Sequence, residues 1–359
     1  MKILVTALLS DYKLSTNLIG MVNSKKVSEI ILVRRKPLRG VAKVRNIHPP
    51  WLWTRWKSLY ELWRFVTIIR TVYKENIGVI IGIQMVLHGL QAAMAGYLTR
   101  TPFILSVIGS DIYVHMQKQW KRPFLKWALK WAGAILVKGS RSRRMLVEAG
   151  ISSDKIFESQ DYQDENRFVP KDMEKQWDLL FVGNLVPVKR VHALIEAVAE
   201  VLKHMRNIHL GILGDGLEQA KLEQLVQNLG IMENVEFLGR KNDAENYINA
   251  SKAVALVSQS EGVPAVAIEA MYCGVPVILT DVGDIGGMFI NEKNALLVPP
   301  NDKKALVKAI IRMLTDNDLH KRLCKGALKT RECYSKRWSR EEQINEWWKV
   351  IDVVNQAQR

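Results

Sequence analysis

Two glutamates eight positions apart, Glu261 and Glu269, bracket a loop and a helix start in Ala253 to Asp281, AVALVSQSEGVPAVAIEAMYCGVPVILTD. A helix start leaves its first backbone N–H groups, here those of Ala265 and Val266, without partners inside the helix. The positive end of the helix dipole adds to them, which makes an anion site. One carboxylate, a phosphate-sized anion site and a second carboxylate thus follow along one edge. That order suits a ligand built of a sugar, a diphosphate and a ribose. From spacing alone the plainer alternative is a solvated helix glutamate and an acid that favours the helix dipole.

The elements that hold these residues can be read from pattern. Ala253 to Val257 is a short apolar run, as a buried parallel strand is. Ser258 to Gly262 breaks it. Pro264 suits the first helical position, since its missing N–H costs nothing there. Gly274-Val-Pro276 ends the helix, and Val277 to Leu279 is a second buried strand. The result is a βαβ unit whose loop lies at the carboxyl end of a strand, where open α/β sheets bind ligands. The same alternation recurs along both halves. Lys2 to Leu8, Ser28 to Val33, Gly78 to Ile83, Pro102 to Ile108 and Ala134 to Val137 read as strands of the first half. Asp178 to Gly183, His209 to Gly214, Val235 to Gly239 and Ala295 to Val298 read as strands of the second. Helices are expected over His88 to Leu98, Lys189 to Leu202, Asp302 to about Cys333, and Tyr334 to Val354.

The stretch resembles the signature of the glycosyltransferase family 4 (group 1) enzymes: Glu, seven residues, Glu, then Ala-Met and Gly-Val-Pro-Val. Here these are Glu261, Glu269, Ala270, Met271, Gly274, Val275, Pro276 and Val277. The likeness covers Asp178 to about Leu314, and more weakly most of the chain. It implies a GT-B fold: two doubly wound α/β, Rossmann-like domains facing a cleft, with the last helix crossing back to the first domain. The expected domains are 1–170 on the acceptor side, 171–335 for the nucleotide sugar, and 336–359 as the crossover helix.

The resemblance implies a nucleotide-diphosphate sugar as donor and no cofactor or bound metal. It places Glu261 at the donor sugar and Glu269 at the ribose hydroxyls, with Val263, Pro264, Ala265 and Val266 lining the donor between them. Gly183 to Lys189 matches the family's diphosphate loop, with Lys189 on the phosphate-binding lysine. Glu261 and Lys189 are the catalytic candidates. Asn184 stands where relatives carry arginine, and it cannot grip phosphate with a charged fork. Gly214 and Arg240 complete the donor set. On the other side Gly109-Ser110-Asp111 matches the family's Gly-Ser-Asp and supplies acceptor-side candidates. Ile108 replaces the histidine that usually precedes it.

Composition sets the rest. The chain has 359 residues, 48% hydrophobic and 25% charged, ordinary for globular domains. Cys273, Cys324 and Cys333 form no paired framework or metal spacing and fit a reducing cytoplasm. The one Asp-x-Asp spacing, Asp316 and Asp318, falls among late helices. MKILVTALLS reads as a first strand rather than a signal peptide.

The net charge of +16 lies wholly in residues 1–170, which hold 27 Lys and Arg against 11 Asp and Glu. Such a field implies an anionic partner. Two aromatic stripes lie in this half. Trp56, Leu59, Tyr60 and Trp63 are flanked by Arg55, Lys57 and Arg64. Phe124, Trp127, Ala128 and Trp131 lie beside Lys126 and Lys130. Rings with cations at helical spacing suit a headgroup interface; equally, they suit a helix whose rings face the sheet.

The expectation is a retaining, metal-independent hexosyltransferase of cell-envelope polysaccharide biosynthesis. It would act on a lipid-linked or cell-surface glycan, as a peripheral protein on the cytoplasmic face of the plasma membrane. Its partners would be a nucleotide sugar, that acceptor and an anionic membrane surface. Nucleic acid fits only the charge. A soluble acceptor, or a non-catalytic sugar-nucleotide-binding subunit, remains open at this point.

Overall fold

A computed structural model describes residues 1–109, 111–116, 118–205 and 207–356. The chain forms two compact units, one of residues 1–162 and 338–359, the other of residues 163–337. The first unit runs β1 (Lys2–Ala7), α1 (Asp11–Val22), β2 (Glu29–Val33), β3 (Val44–Ile47), α2 (Lys57–Lys74), β4 (Ile77–Ile83) and α3 (Leu90–Thr99). It continues through β5 (Phe103–Ser106), α4 (Arg122–Trp131), β6 (Ala134–Val137), α5 (Ser140–Glu148) and β7 (Ile156–Glu158). The second begins with β8 (Trp177–Val182), α6 (Val191–Val201), β9 (Leu210–Leu213), α7 (Gln219–Leu229), β10 (Val235–Gly239) and α8 (Ala244–Asn249). It ends with β11 (Ser251–Leu256), α9 (Ala265–Tyr272), β12 (Val277–Thr280), β13 (Ala295–Val298), α10 (Lys303–Thr315) and α11 (Asn317–Arg337). A last helix, α12 (Arg340–Gln356), belongs to the first unit.

Every strand pair is parallel. The first sheet has the order β3-β2-β1-β4-β5-β6-β7 and the second β10-β9-β8-β11-β12-β13. The strands are near-continuous runs of Ile, Leu and Val, such as Glu29–Val33 (EIILV), because helices cover both faces of such sheets. In the first sheet the chain reverses its direction of winding between β1 and β4; in the second, between β8 and β11. Loops at those two places leave the carboxyl ends of neighbouring strands in opposite directions and open a crevice.

One face of the first sheet packs on α2, α3 and α4 through Ile68, Ala92, Leu125 and Leu129, all fully buried. The other face packs on α1 and α12, through Leu14, Leu18, Trp347 and Ile351. Gly20 of α1 makes that contact possible: a Cβ there would stand 2.6 Å from the Trp347 ring. The tryptophans of the C-terminal helical region, Trp338, Trp347 and Trp348, are packing residues.

Several expected boundaries move. Lys189 is not in the long helix, because Pro187–Lys189 forms a single 3₁₀ turn and Arg190 takes a left-handed conformation (φ 51°) before α6 starts. Pro264 caps α9 in an extended conformation instead of opening it; its carbonyl accepts from Ala267 and Ile268. The segment after Asp302 breaks at Asp316, and α11 runs on to Arg337 before the chain turns into α12.

Candidate active site

The crevice of the second sheet is lined by loops that the sequence builds from glycine and small polar residues. Lys189 lies in the loop after β8 and Glu261 in the loop after β11, so they flank the point where the winding reverses. They meet: Lys189 Nζ donates to Glu261 Oε1 at 2.5 Å. Ser258 Oγ donates to the same oxygen at 2.6 Å. The backbone joins the two loops as well, with Gln259 N–H bonded to the Val188 carbonyl at 2.8 Å. Thr280 Oγ1 at the end of β12 holds the Ser258 carbonyl at 2.6 Å.

Gly283, at φ 61°, sits so close that a Cβ would lie 1.7 Å from the Glu261 carbonyl oxygen. Asp284 N–H holds the Gly262 carbonyl at 3.2 Å. On the other side of the loop after β8, Gly214 (φ 141°) touches the Gly183 carbonyl, where a Cβ would come within 1.9 Å. No side chain fits at either position, so the loops are fixed by backbone contact.

Glu269 lies eight positions on, in the middle of α9, and is only 7% exposed. A buried carboxylate is not a solvated helix glutamate, so that plainer reading does not hold. Val263, Ala265 and Val266 are half-buried and Pro264 is buried at the helix start. Asn184 and Arg240 are exposed. Arg190 turns instead to Asn301 Oδ1. The sequence reading missed Ser260, whose hydroxyl is buried with no protein partner, beside Glu261 in the chain.

In the first unit, Asp111 is 3% exposed and accepts backbone N–H groups from Met85 (2.8 Å) and Ile108 (3.0 Å). Burial pushes its carboxyl above the usual range, against the pull of these N–H groups. It therefore braces the loops after β4 and β5. Gly109 is buried beside it, and Ser110 lies outside the described residues.

A second constellation at this sheet's reversal point escaped the sequence reading. His88 is 2% exposed; its Nδ1 pairs with Thr6 Oγ1 at the end of β1, and its Nε2 with Arg64 Nη1, both at 2.7 Å. Since the guanidinium only donates, Nε2 accepts and Nδ1–H donates to Thr6. Arg64 also holds Gln91 Oε1 at 2.8 Å and the Glu61 carboxylate. Burial first, and then the Arg64 charge, push the His88 imidazole down to about 2. The chain just before His88 is strained, with Gln84 at φ 70° and Leu87 at φ 72°, ψ −65°. Non-glycine residues adopt such angles only where their surroundings impose them. Here the imposing contacts are the Asp111 carboxylate, the His88 ring and the close packing of Gly89 on Gly82. The helix expected from His88 accordingly starts at Leu90.

Two family profiles match the chain: "Glycosyl transferases group 1" over residues 162–330 and "Glycosyl transferase 4-like" over residues 24–139. The chain belongs to the group 1, family 4 glycosyltransferases. An uncharacterized glycosyltransferase of Methanocaldococcus jannaschii is 26% identical over 71% of this chain and 69% of its own. A GalNAc-α-(1→4)-GalNAc-α-(1→3)-diNAcBac-PP-undecaprenol α-1,4-N-acetyl-D-galactosaminyltransferase of Campylobacter jejuni is 28% identical over 72% of this chain and 70% of its own. Further curated relatives, 29–36% identical, are matched over only 14–48% of their own length. Among solved structures, Anabaena HepE in complex with UDP-glucose superposes with a TM-score of 0.79 at 18% identity, covering 99% of this chain and 100% of that one. That likeness gives the GT-B fold.

The aromatic stripes of this glycosyltransferase need correction. Trp56 is not on α2; it caps the helix in an extended conformation and is 60% exposed. The inward row of α2 is Tyr60, Arg64 and Ile68, spaced by four, so Tyr60 and Arg64 are buried rather than offered to a surface. Trp63 and Trp127 pack against the core from its edge. Trp131 is 57% exposed, Lys130 is exposed and Lys126 half-buried. Each helix therefore turns part of its aromatic stripe inward. Periodicity alone could not separate the two parts, because one arc of each helix meets the sheet and the next meets solvent.

Proposed function

We propose that this glycosyltransferase is a retaining, metal-independent hexosyltransferase. It would take a sugar from a nucleotide-diphosphate donor and pass it to a lipid-linked or cell-surface glycan at the cytoplasmic membrane face. The observation that carries the donor half is the Lys189–Glu261 contact at the reversal point of the second sheet, with Glu269 buried in α9. In this reading the Lys189 ammonium and the α9 N-terminus meet the diphosphate and take up the charge that develops as it leaves. Glu261 faces the sugar, Glu269 binds the ribose hydroxyls, and the unpartnered Ser260 hydroxyl is a further donor contact. Attack and departure share one face of the sugar, which retains its anomeric configuration.

The acceptor half is supported by the basic first 170 residues and by the Campylobacter relative, whose name specifies an undecaprenol-diphosphate-linked glycan. A nucleotide donor is also supported by the Anabaena neighbour solved with UDP-glucose, which makes UDP-sugars the first to test. Among the described residues no helix is long and apolar enough to cross a membrane.

A thermal-shift panel of nucleotide sugars tests the donor. A ligand bound only by the folded state at one hundred times its Kd adds about 2.7 kcal/mol. One base–sugar combination should raise Tm well above the others, and a panel with no hit would remove the donor assignment. Within that assay, Glu269→Ala is expected to weaken the preferred donor by about 1–3 kcal/mol through lost ribose hydrogen bonds. Unchanged affinity in a normally folded mutant would place the ribose elsewhere.

A further inference from the structure

The outer edge of α3 and α4 carries a patch the proposed reaction does not use. Met94, Tyr97 and Leu98 of α3 are 44%, 51% and 58% exposed; Phe124 and Trp131 of α4 are 63% and 57% exposed. Trp120, just before α4, is 71% exposed. The opposite arcs of both helices, with Ala92, Leu125 and Leu129, are fully buried, so the exposed rings are not misplaced core. Tyr97 sets its edge against Trp131 at 5.1 Å and Trp127 at 5.7 Å, which joins the two helices' aromatics into one surface.

Positive charge predominates along this stretch. From Ile77 to Val147 the chain has ten Lys and Arg and a single acid, Asp111, which is buried. Arg122 and Lys130 are exposed on α4, and Lys118 and Lys121 precede it. Soluble surfaces ordinarily intersperse both signs and avoid clustered large apolar groups. A second copy on this patch would bring like charges together. A bilayer with anionic headgroups accepts both components at once, rings at the acyl boundary and cations on lipid phosphates.

We infer that the α3–α4 face docks this glycosyltransferase on an anionic membrane surface. The inference specifies the membrane side of the proposed function but stands on surface chemistry, not on the donor site. Its test is co-sedimentation of the full chain with phosphatidylcholine vesicles, with and without phosphatidylglycerol, at low and high salt.

The wild type should sediment with the anionic vesicles at low salt, weakly with neutral ones, and be released by salt. Each cation near the surface contributes roughly fivefold, so Arg122→Gln/Lys126→Gln/Lys130→Gln should weaken anionic partition about 100-fold. Phe124→Ser/Trp131→Ser should weaken binding to both lipid mixtures. Both variants should keep the wild-type Tm and nucleotide-sugar affinity. No vesicle binding at any salt, or variants that bind like wild type, would overturn the inference. So would a lipid-free dimer that Phe124→Ser/Trp131→Ser converts to monomer. Vesicle binding without nucleotide-sugar binding would uphold this face and remove the donor reading; the reverse result would do the opposite.

Discussion

Lys189→Ala is expected to lower kcat/KM with the preferred nucleotide sugar by about 100-fold, near 2.7 kcal/mol. Two effects combine. In the proposed donor reading the ammonium meets the diphosphate before and during its departure, so ground-state binding and transition-state stabilisation should both suffer. In addition, the Glu261 carboxylate, only 12% exposed, loses its cation and presents an uncompensated negative charge to an anionic ligand. Donor Kd by calorimetry and steady-state kinetics should therefore both worsen. Lys189→Arg keeps the charge and should recover part of each. Glu261→Gln should behave differently, with turnover falling more than donor affinity, since in that reading its carboxylate faces the sugar. A Lys189→Ala enzyme with wild-type Kd and kcat would end the diphosphate role.

Arg64→Ala should cost about 3–5 kcal/mol of stability, the usual cost of removing one partner from a buried ionic network. Arg64 is fully buried and ties Glu61 and Gln91 to His88, with its guanidinium 5.3 Å from the centre of the Tyr60 ring. Its loss leaves the Glu61 carboxylate without its cation, and the Gln91 Oε1 and buried His88 Nε2 without their donor. Arg64→Lys should not rescue, because an ammonium cannot reproduce the planar fork. Thermal or urea unfolding reads the effect, and a loss below 1 kcal/mol would mean water already satisfies these groups.

The same network gives a pH signature. The unfolded ring takes a proton near pH 6.5, whereas the folded one resists until about 2. Between those limits the unfolded state binds one proton more. The stability tied to neutral His88 is thus complete above pH 6.5 and falls by about 1.4 kcal/mol per unit as pH drops below it. Wild type should lose stability on acidification more steeply than His88→Gln.

How much of this was legible in the chain depends on the range of the interactions. Five of the seven strands of the first sheet, all six of the second, the β11–α9–β12 unit and the spacing of Glu261 and Glu269 on it were readable; the short edge strands β3 and β7 were not. Each is a local pattern: an apolar run, a glycine or proline break, a fixed spacing on one βαβ unit. Sequence also gave the one-sided charge and the packing role of the C-terminal tryptophans. It could not give the Lys189–Glu261 contact, which joins loops 72 residues apart because β8 and β11 happen to be neighbours.

Nor could it give the sorting of the aromatic stripes. A ring on an amphipathic helix has the same spacing whether it meets the sheet or the solvent. Only the seating of α2 and α4 sent Tyr60 and Arg64 inward and left Phe124 and Trp131 outside. His88 was the largest omission. Its partners Thr6 and Arg64 lie 82 and 24 residues away, and no motif marks a buried histidine. The strained turn before it exists because tertiary contacts at Asp111 and Gly82 outweigh local preference. Local pattern thus determined which residues are candidates for the proposed reaction. The packing of parallel strands determined which of them meet, which are buried, and which face remains for a partner.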